Sequence, residues 1–206
     1  EIIGIGTNLN CLNGVMPSTD KLIQLSLYKQ LIEARFQKVI PWVSGGTTVA
    51  IPLLLNKELP KGVNHFRVGE ALFFGADLFT GGVLPGMHAD VFRLHTGGIE
   101  LQEKAVGPTG DRMENPSGRK ARFDPADRDK TSYRAIIDVG LLDVQPRFLL
   151  PEDDRLTVIE ASSDMLVVDL GASSYDYKVG DEITFNLKYM GALTVMNSRY
   201  IDKVVA

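Results

Sequence analysis

The sequence holds a single cysteine, Cys11, so no disulfide can close within the chain, and a reducing cytoplasm is the expected setting. It also lacks any apolar run near the roughly 18 residues that a membrane span requires, which argues against a membrane partner. Nor is there a cluster of Lys or Arg along one face. The 22 basic and 26 acidic residues leave a net charge of -4, with no electrostatic footprint for nucleic acid or an anionic membrane. What is present is 44% hydrophobic, ample for the core of one large domain or two small ones and suited to small-molecule work. No signal peptide and no initiator methionine stand at the front. The chain opens on the strand-like run Glu1-Ile2-Ile3-Gly4-Ile5-Gly6, which reads as a cut through a larger protein.

The first eighty residues alternate short apolar runs with helical patterns, the signature of βα units and a parallel sheet. A strand at 2–6 leads through a polar turn to a helix over 19–36, capped by Thr19 or Asp20, with Leu22, Ile23, Leu27, Leu31 and Ala34 recurring along it. A second strand, 38–43, runs into Ser44-Gly45-Gly46-Thr47-Thr48 and a helix through Leu55 that Pro52 could kink. A third strand, 64–68, meets Gly69-Glu70 and a helix over 71–79. Beyond Gly81-Gly82 the period changes to two, predicting a mostly antiparallel β region with strands near 91–104, 133–139, 155–161, 165–170 and 182–189. The expected division is 1–84 and 85–206, and 107–130 reads as a long exposed loop.

Two of the βα turns place glycine at a helix start, where unpaired N–H groups favour an anion. Ser44-Gly45-Gly46-Thr47 is the better phosphate site, because glycine lets the backbone approach and the hydroxyls add donors. Tight connection alone would also account for it. Arg67 falls near a strand's C-terminal end, facing the mouth of a β/α arrangement. A buried arginine there needs a partner, and a structural ion pair stands beside a role in chemistry.

The segment Phe66-Arg67-Val68-Gly69-Glu70 resembles the arginine-x-glycine segment of alanine-racemase-type pyridoxal-phosphate enzymes. Within them it is similar to the ornithine and lysine racemase branch. Gly6-Thr7-Asn8-Leu9, Ser44-Gly45-Gly46, Asn64-His65, Leu84-Pro85-Gly86-Met87-His88, Ala161-Ser162-Ser163-Asp164 and Tyr177-Lys178-Val179-Gly180-Asp181 follow in the same order. The resemblance implies the C-terminal part of a β/α (TIM-like) barrel followed by a mostly antiparallel β domain. It further implies pyridoxal 5'-phosphate as cofactor, an amino acid as substrate, and a homodimer whose β domain completes the partner subunit's site.

On the matching positions, the resemblance implies that Ser44, Gly45, Val68 and Gly69 bind the cofactor phosphate and that Arg67 faces the pyridine nitrogen. Tyr200 would add to the phosphate site or simply pack in the β domain. Asp164 would recognise a basic side chain, and Ser163 would carry a proton or merely cap a turn. His88 is a further candidate donor, or an exposed junction histidine. His88 with Asp90 offers only two ligands, so no metal is expected. Asp143 reads as an acid or, better, a turn residue.

Two departures matter. No lysine stands at the end of a first barrel strand, so the Schiff-base lysine is expected to lie outside this chain, and the chain is expected to be inactive alone. Leu141 occupies the position of the alanine racemases' tyrosine and cannot transfer a proton. The activity that the resemblance implies is racemisation of a basic amino acid such as ornithine or lysine. A decarboxylase or aldolase on the same scaffold, and a cofactor-binding protein without turnover, are the alternatives.

Overall fold

The computed structural model describes residues 1–107, 109–111, 113–114, 123–127 and 129–205. The chain forms two compact units, Glu1–Val91 and Phe92–Ala206. In the first, β1 (Gly4–Gly6) and β2 (Trp42–Ser44) run parallel, with Ile5 opposite Val43 and Gly6 opposite Ser44. Parallel neighbours need a crossover, and α1 (Thr19–Phe36) supplies it.

The cap of α1 is Ser18, whose hydroxyl accepts from the Lys21 N–H at 3.4 Å. Thr19, expected in that role, instead donates its hydroxyl to the Glu58 carbonyl. Asp20 lies in the first turn, where its charge suits the helix dipole. Leu22 and Leu25 bury into the unit, whereas Ile23, Leu27 and Leu31 are exposed. The helix is apolar along two stripes, and spacing alone does not rank them.

The third strand expected at 64–68 is reduced to one parallel bridge, Ser44 with His65. A side chain takes one place in the backbone pairing: Asn64 Oδ1 accepts from the Val43 N–H and Asn64 Nδ2 donates to the Pro41 carbonyl, both at 2.8 Å, while the Asn64 and His65 N–H groups still donate to the Val43 carbonyl. After β2, a single 3-10 turn (Thr48–Ala50) leads into α2 (Ile51–Leu55). Pro52 lies in the first turn of α2, where its missing N–H costs nothing, so it starts the helix rather than kinking it. The next helix, α3 (Glu70–Phe74), ends at Gly75 with φ 61°, short of the expected Phe79. Asp77 then captures the N–H groups of Phe79 and Thr80 in a turn.

The second unit is one antiparallel sheet of six strands, comprising β3 (Arg93–Ala105), β4 (Thr131–Ile137), β5 (Leu149–Pro151), β6 (Thr157–Ala161), β7 (Leu166–Gly171) and β8 (Glu182–Leu187). Their spatial order is β5-β8-β3-β4-β7-β6. The first half of β3 pairs with β8 and the second with β4, the handover falling at Gly97-Gly98. Alternation along β7 buries Leu166, Val168 and Leu170, and along β8 it buries Ile183, Phe185 and Leu187. The strand expected to reach Tyr189 ends at Leu187, and α4 (Tyr189–Asn197) follows. Gly191, Ala192 and Val195 of α4 are buried. Parts of the loop expected at 107–130 lie outside the described residues.

Candidate functional site

Arg67 stands where the parallel segments of the first unit end. One of its Nη1 hydrogens goes to Ser44 Oγ at 2.6 Å, at the last residue of β2. Both Nη2 hydrogens are used just beyond β1, on the Thr7 carbonyl and on Asn8 Oδ1, each at 3.1 Å. All three acceptors are neutral, and among the described residues no carboxylate pairs with the guanidinium. The side chain is exposed rather than buried, so the structural ion pair considered from sequence is not what holds it. Of five guanidinium N–H groups, Nε–H and one on Nη1 remain for another acceptor. Thr7 and Asn8 were not singled out in the sequence as site residues. Both lie in the motif Gly6-Thr7-Asn8-Leu9, just past the C-terminal end of β1, and that position is the signal that finds them.

Beside this arginine lie two turns with open donors. The Gly45 N–H is used by the His65 carbonyl and the Arg67 N–H by the Gly46 carbonyl. The N–H groups of Gly46, Thr47, Val68 and Gly69 have no partner among the described residues. Gly46 adopts φ 119°, open to glycine but strained for any other residue. A Cβ on Gly45 would meet Val63 at 2.4 Å. Thr48, buried, ties the two turns together by accepting from the Ala71 N–H at 3.0 Å. Ser44 accepts from Arg67 and keeps its own proton to donate. Unpaired donors on two adjoining turns can hold an anion such as a phosphate. Burial pushes the Glu70 carboxyl up from its ordinary value.

In the second unit, Ser163 and Asp164 occupy the turn between β6 and β7, both exposed. Ser163 Oγ donates to Asp164 Oδ1 at 2.9 Å. The loop after β4 docks on this turn through backbone bonds from Leu141 to Ser162 and from Leu142 to Ser163. Leu141 is therefore a neighbour of the serine and aspartate singled out by sequence. The turn offers an exposed carboxylate able to pair with a cation and a hydroxyl beside it.

No family model matches the chain. It is 38% identical over 203 residues to ornithine racemase of Acetoanaerobium sticklandii, spanning 98% of this chain and 57% of that protein. To lysine racemase of Thermotoga maritima it is 37% identical over 204 residues, spanning 99% and 56%. The chain thus covers somewhat more than half the length of the curated relatives it matches. Among solved structures, alanine racemase from Bartonella henselae superposes with a TM-score of 0.55 at 22% identity, over 89% of this chain and 47% of that one. The chain is similar in sequence to these two racemases and shares its fold with part of this alanine racemase.

The remaining sequence candidates are placed as follows. His88 is exposed on the segment after Leu84, and its imidazole has no hydrogen-bond partner among the described residues. Tyr200 is 82% exposed, so it is not a packed β-domain tyrosine, and its N–H donates to Ser198 Oγ. Asp143 is buried and accepts from Ser198 Oγ at 2.6 Å, which fits a turn residue anchoring the end of α4. D-Threonine aldolase from Filomicrobium marinum superposes as well, with a TM-score of 0.52 at 11% identity over 94% of this chain and 46% of that one. The fold alone therefore does not choose the reaction.

Proposed function

We propose that this chain is part of a pyridoxal-phosphate-dependent racemase that interconverts the L and D forms of a basic amino acid such as ornithine or lysine. One observation carries the reading: among the described residues Arg67 is held by Ser44, Thr7 and Asn8, with N–H groups left over and no carboxylate to neutralise it. The likeness to ornithine and lysine racemases over nearly the whole chain supports it.

The residues present fit the cofactor. Arg67 would meet the pyridine nitrogen, and the open N–H groups of Gly46, Thr47, Val68 and Gly69, with the Ser44 hydroxyl beside them and Tyr200 in addition, would meet the phosphate. When bound, the cofactor supplies an electron sink for the pair left behind as the Cα proton departs. A guanidinium is a poor proton donor, so Arg67 would leave the ring nitrogen unprotonated and the electron sink weak, an arrangement that would favour return of the proton to Cα and hence racemisation.

Asp164 would hold the distal ammonium of a basic substrate through a charge-assisted hydrogen bond that alanine cannot make. Ser163 would move a proton at the second face of Cα, with His88 the other candidate for that role. The first unit is read as the C-terminal part of a β/α barrel. The second is read as the domain that completes a partner subunit's site in a cytoplasmic homodimer.

The test uses the full-length protein with L-ornithine and L-lysine in deuterated water. Loss of optical rotation with one deuterium at Cα, and neither carbon dioxide nor aldehyde, is the expected result. Carbon dioxide or aldehyde would make it a decarboxylase or aldolase, and tight cofactor binding without Cα exchange would make it a binding protein.

A further inference from the structure

Asn8 joins two groups of very different character. Its Oδ1 accepts from Arg67 Nη2 at 3.1 Å, and its Nδ2 donates to Cys11 Sγ at 3.1 Å. The guanidinium, which can only donate, settles which way the amide points: a flipped amide would turn an N–H donor toward it, whereas the Cys11 thiol could serve either orientation. Arg67 is thereby gripped on both Nη2 hydrogens, because the Thr7 carbonyl takes the other. A planar guanidinium fixed at Nη2 and at one Nη1 hydrogen cannot rotate, so its remaining donors keep one direction.

From this arrangement we infer that Asn8 is a positioning residue which aims Arg67 through a neutral acceptor, leaving the arginine's full positive charge toward the group it faces. The inference rests on the racemase reading for the identity of that group, the ring nitrogen of the cofactor. The choice of asparagine is the point. Aspartate at this place would hold Arg67 at least as firmly, since charge-assisted hydrogen bonds are the stronger ones. It would also cancel much of the charge that keeps the ring nitrogen unprotonated. A stronger electron sink would then divert substrate into transamination, in which the amino group stays on the cofactor and the substrate leaves as its 2-oxo acid. Asparagine gives the grip without the neutralisation.

The test compares Asn8→Asp and Asn8→Ala with the wild type, all as full-length protein, and has two arms. In the first, without cofactor, nuclear magnetic resonance of nitrogen-labelled arginine follows the Nη groups of Arg67, assigned by their loss in Arg67→Lys. Separate, slowly averaging Nη signals are expected in the wild type and Asn8→Asp, and one averaged signal in Asn8→Ala. Equal behaviour of all three would overturn the positioning role.

In the second arm, the absorbance of bound pyridoxal phosphate is titrated with pH and the 2-oxo acid is assayed. Asn8→Asp should raise the protonated fraction of the ring nitrogen about tenfold, the effect of a one-unit shift, and raise 2-oxo acid formation in step. Firm Nη signals in Asn8→Asp with an unchanged titration would overturn the claim about neutrality. A wild type that binds no cofactor would overturn the racemase reading and the neutrality claim together, while the first arm would still judge whether Asn8 aims Arg67.

Discussion

The backbone N–H of Leu141 donates to the carbonyl of Ser162 at 2.9 Å, and that of Leu142 to the carbonyl of Ser163 at 2.8 Å. The loop after β4 is thus bonded to the turn that carries Asp164. Gly140 makes the approach possible, because a Cβ there would stand 2.5 Å from the backbone nitrogens of both Asp164 and Met165. Backbone atoms cannot swing aside as a flexible side chain would. Gly140→Ala is expected to destabilise the protein by about 1–3 kcal/mol, the usual cost of overpacking. It should appear as a lower urea midpoint at unchanged slope. An unaltered midpoint would mean that the two segments are not in such close approach.

Asp164 is the test of substrate choice. If its carboxylate reads a distal ammonium, Asp164→Asn replaces the ionised acceptor by a neutral amide oxygen, at a cost of about 1–1.5 kcal/mol. That corresponds to a rise of roughly 5- to 13-fold in KM for ornithine. The full-length variant should keep its affinity for the cofactor phosphate. Equal KM values for ornithine in wild type and variant would remove Asp164 from substrate recognition.

The sheet of the second unit was legible because period-two alternation has one reading wherever one face is buried, as at Leu166, Val168 and Leu170. The segment at 64–68 was not, because Asn64 satisfies Val43 with its side chain, a substitution that leaves no mark in an apolar pattern. The same limit hid α4: Phe185 and Leu187 set a strand rhythm, and nothing local says that it stops at Lys188. At the site, position near the end of an expected strand made Arg67 a candidate, and the resemblance gave it a role. Its partners Thr7 and Asn8 lie some sixty residues earlier, brought near by the parallel pairing of β1 with β2. Long-range pairing of this kind is visible only once the register is known.

Acid stability offers an independent check on the second unit. Asp153 is held well below the usual carboxylate range, foremost by hydrogen bonds from the Arg155 guanidinium, with further ones from the Arg155 N–H and the Tyr177 hydroxyl. A carboxylate depressed in the folded state stabilises fully above its unfolded pKa, about 3.9. The contribution is lost as pH falls toward the depressed value. Asp153→Asn should therefore cost at most about 1 kcal/mol at neutral pH, as a near-surface ion pair does. It should also flatten the fall in stability below pH of about 4. Parallel urea titrations across that window measure both, and identical acid limbs in variant and wild type would refute the assignment.

Leu141→Tyr addresses the reaction itself. Leucine at this place cannot exchange a proton, yet its backbone is bonded to Ser162 and its side chain is 44% exposed. A phenol introduced there has room, and it would lie beside the same turn that carries Ser163. If the second face of Cα is served from this corner of the antiparallel unit, the variant should acquire alanine racemisation, gaining at least about tenfold over the wild type as a positioned general acid can provide. Ornithine turnover should then depend less on Ser163, so that Ser163→Ala costs less in the Leu141→Tyr background than alone. Additive losses, with no alanine racemisation, would show that the second proton is delivered from elsewhere, and His88 would be the next residue to replace.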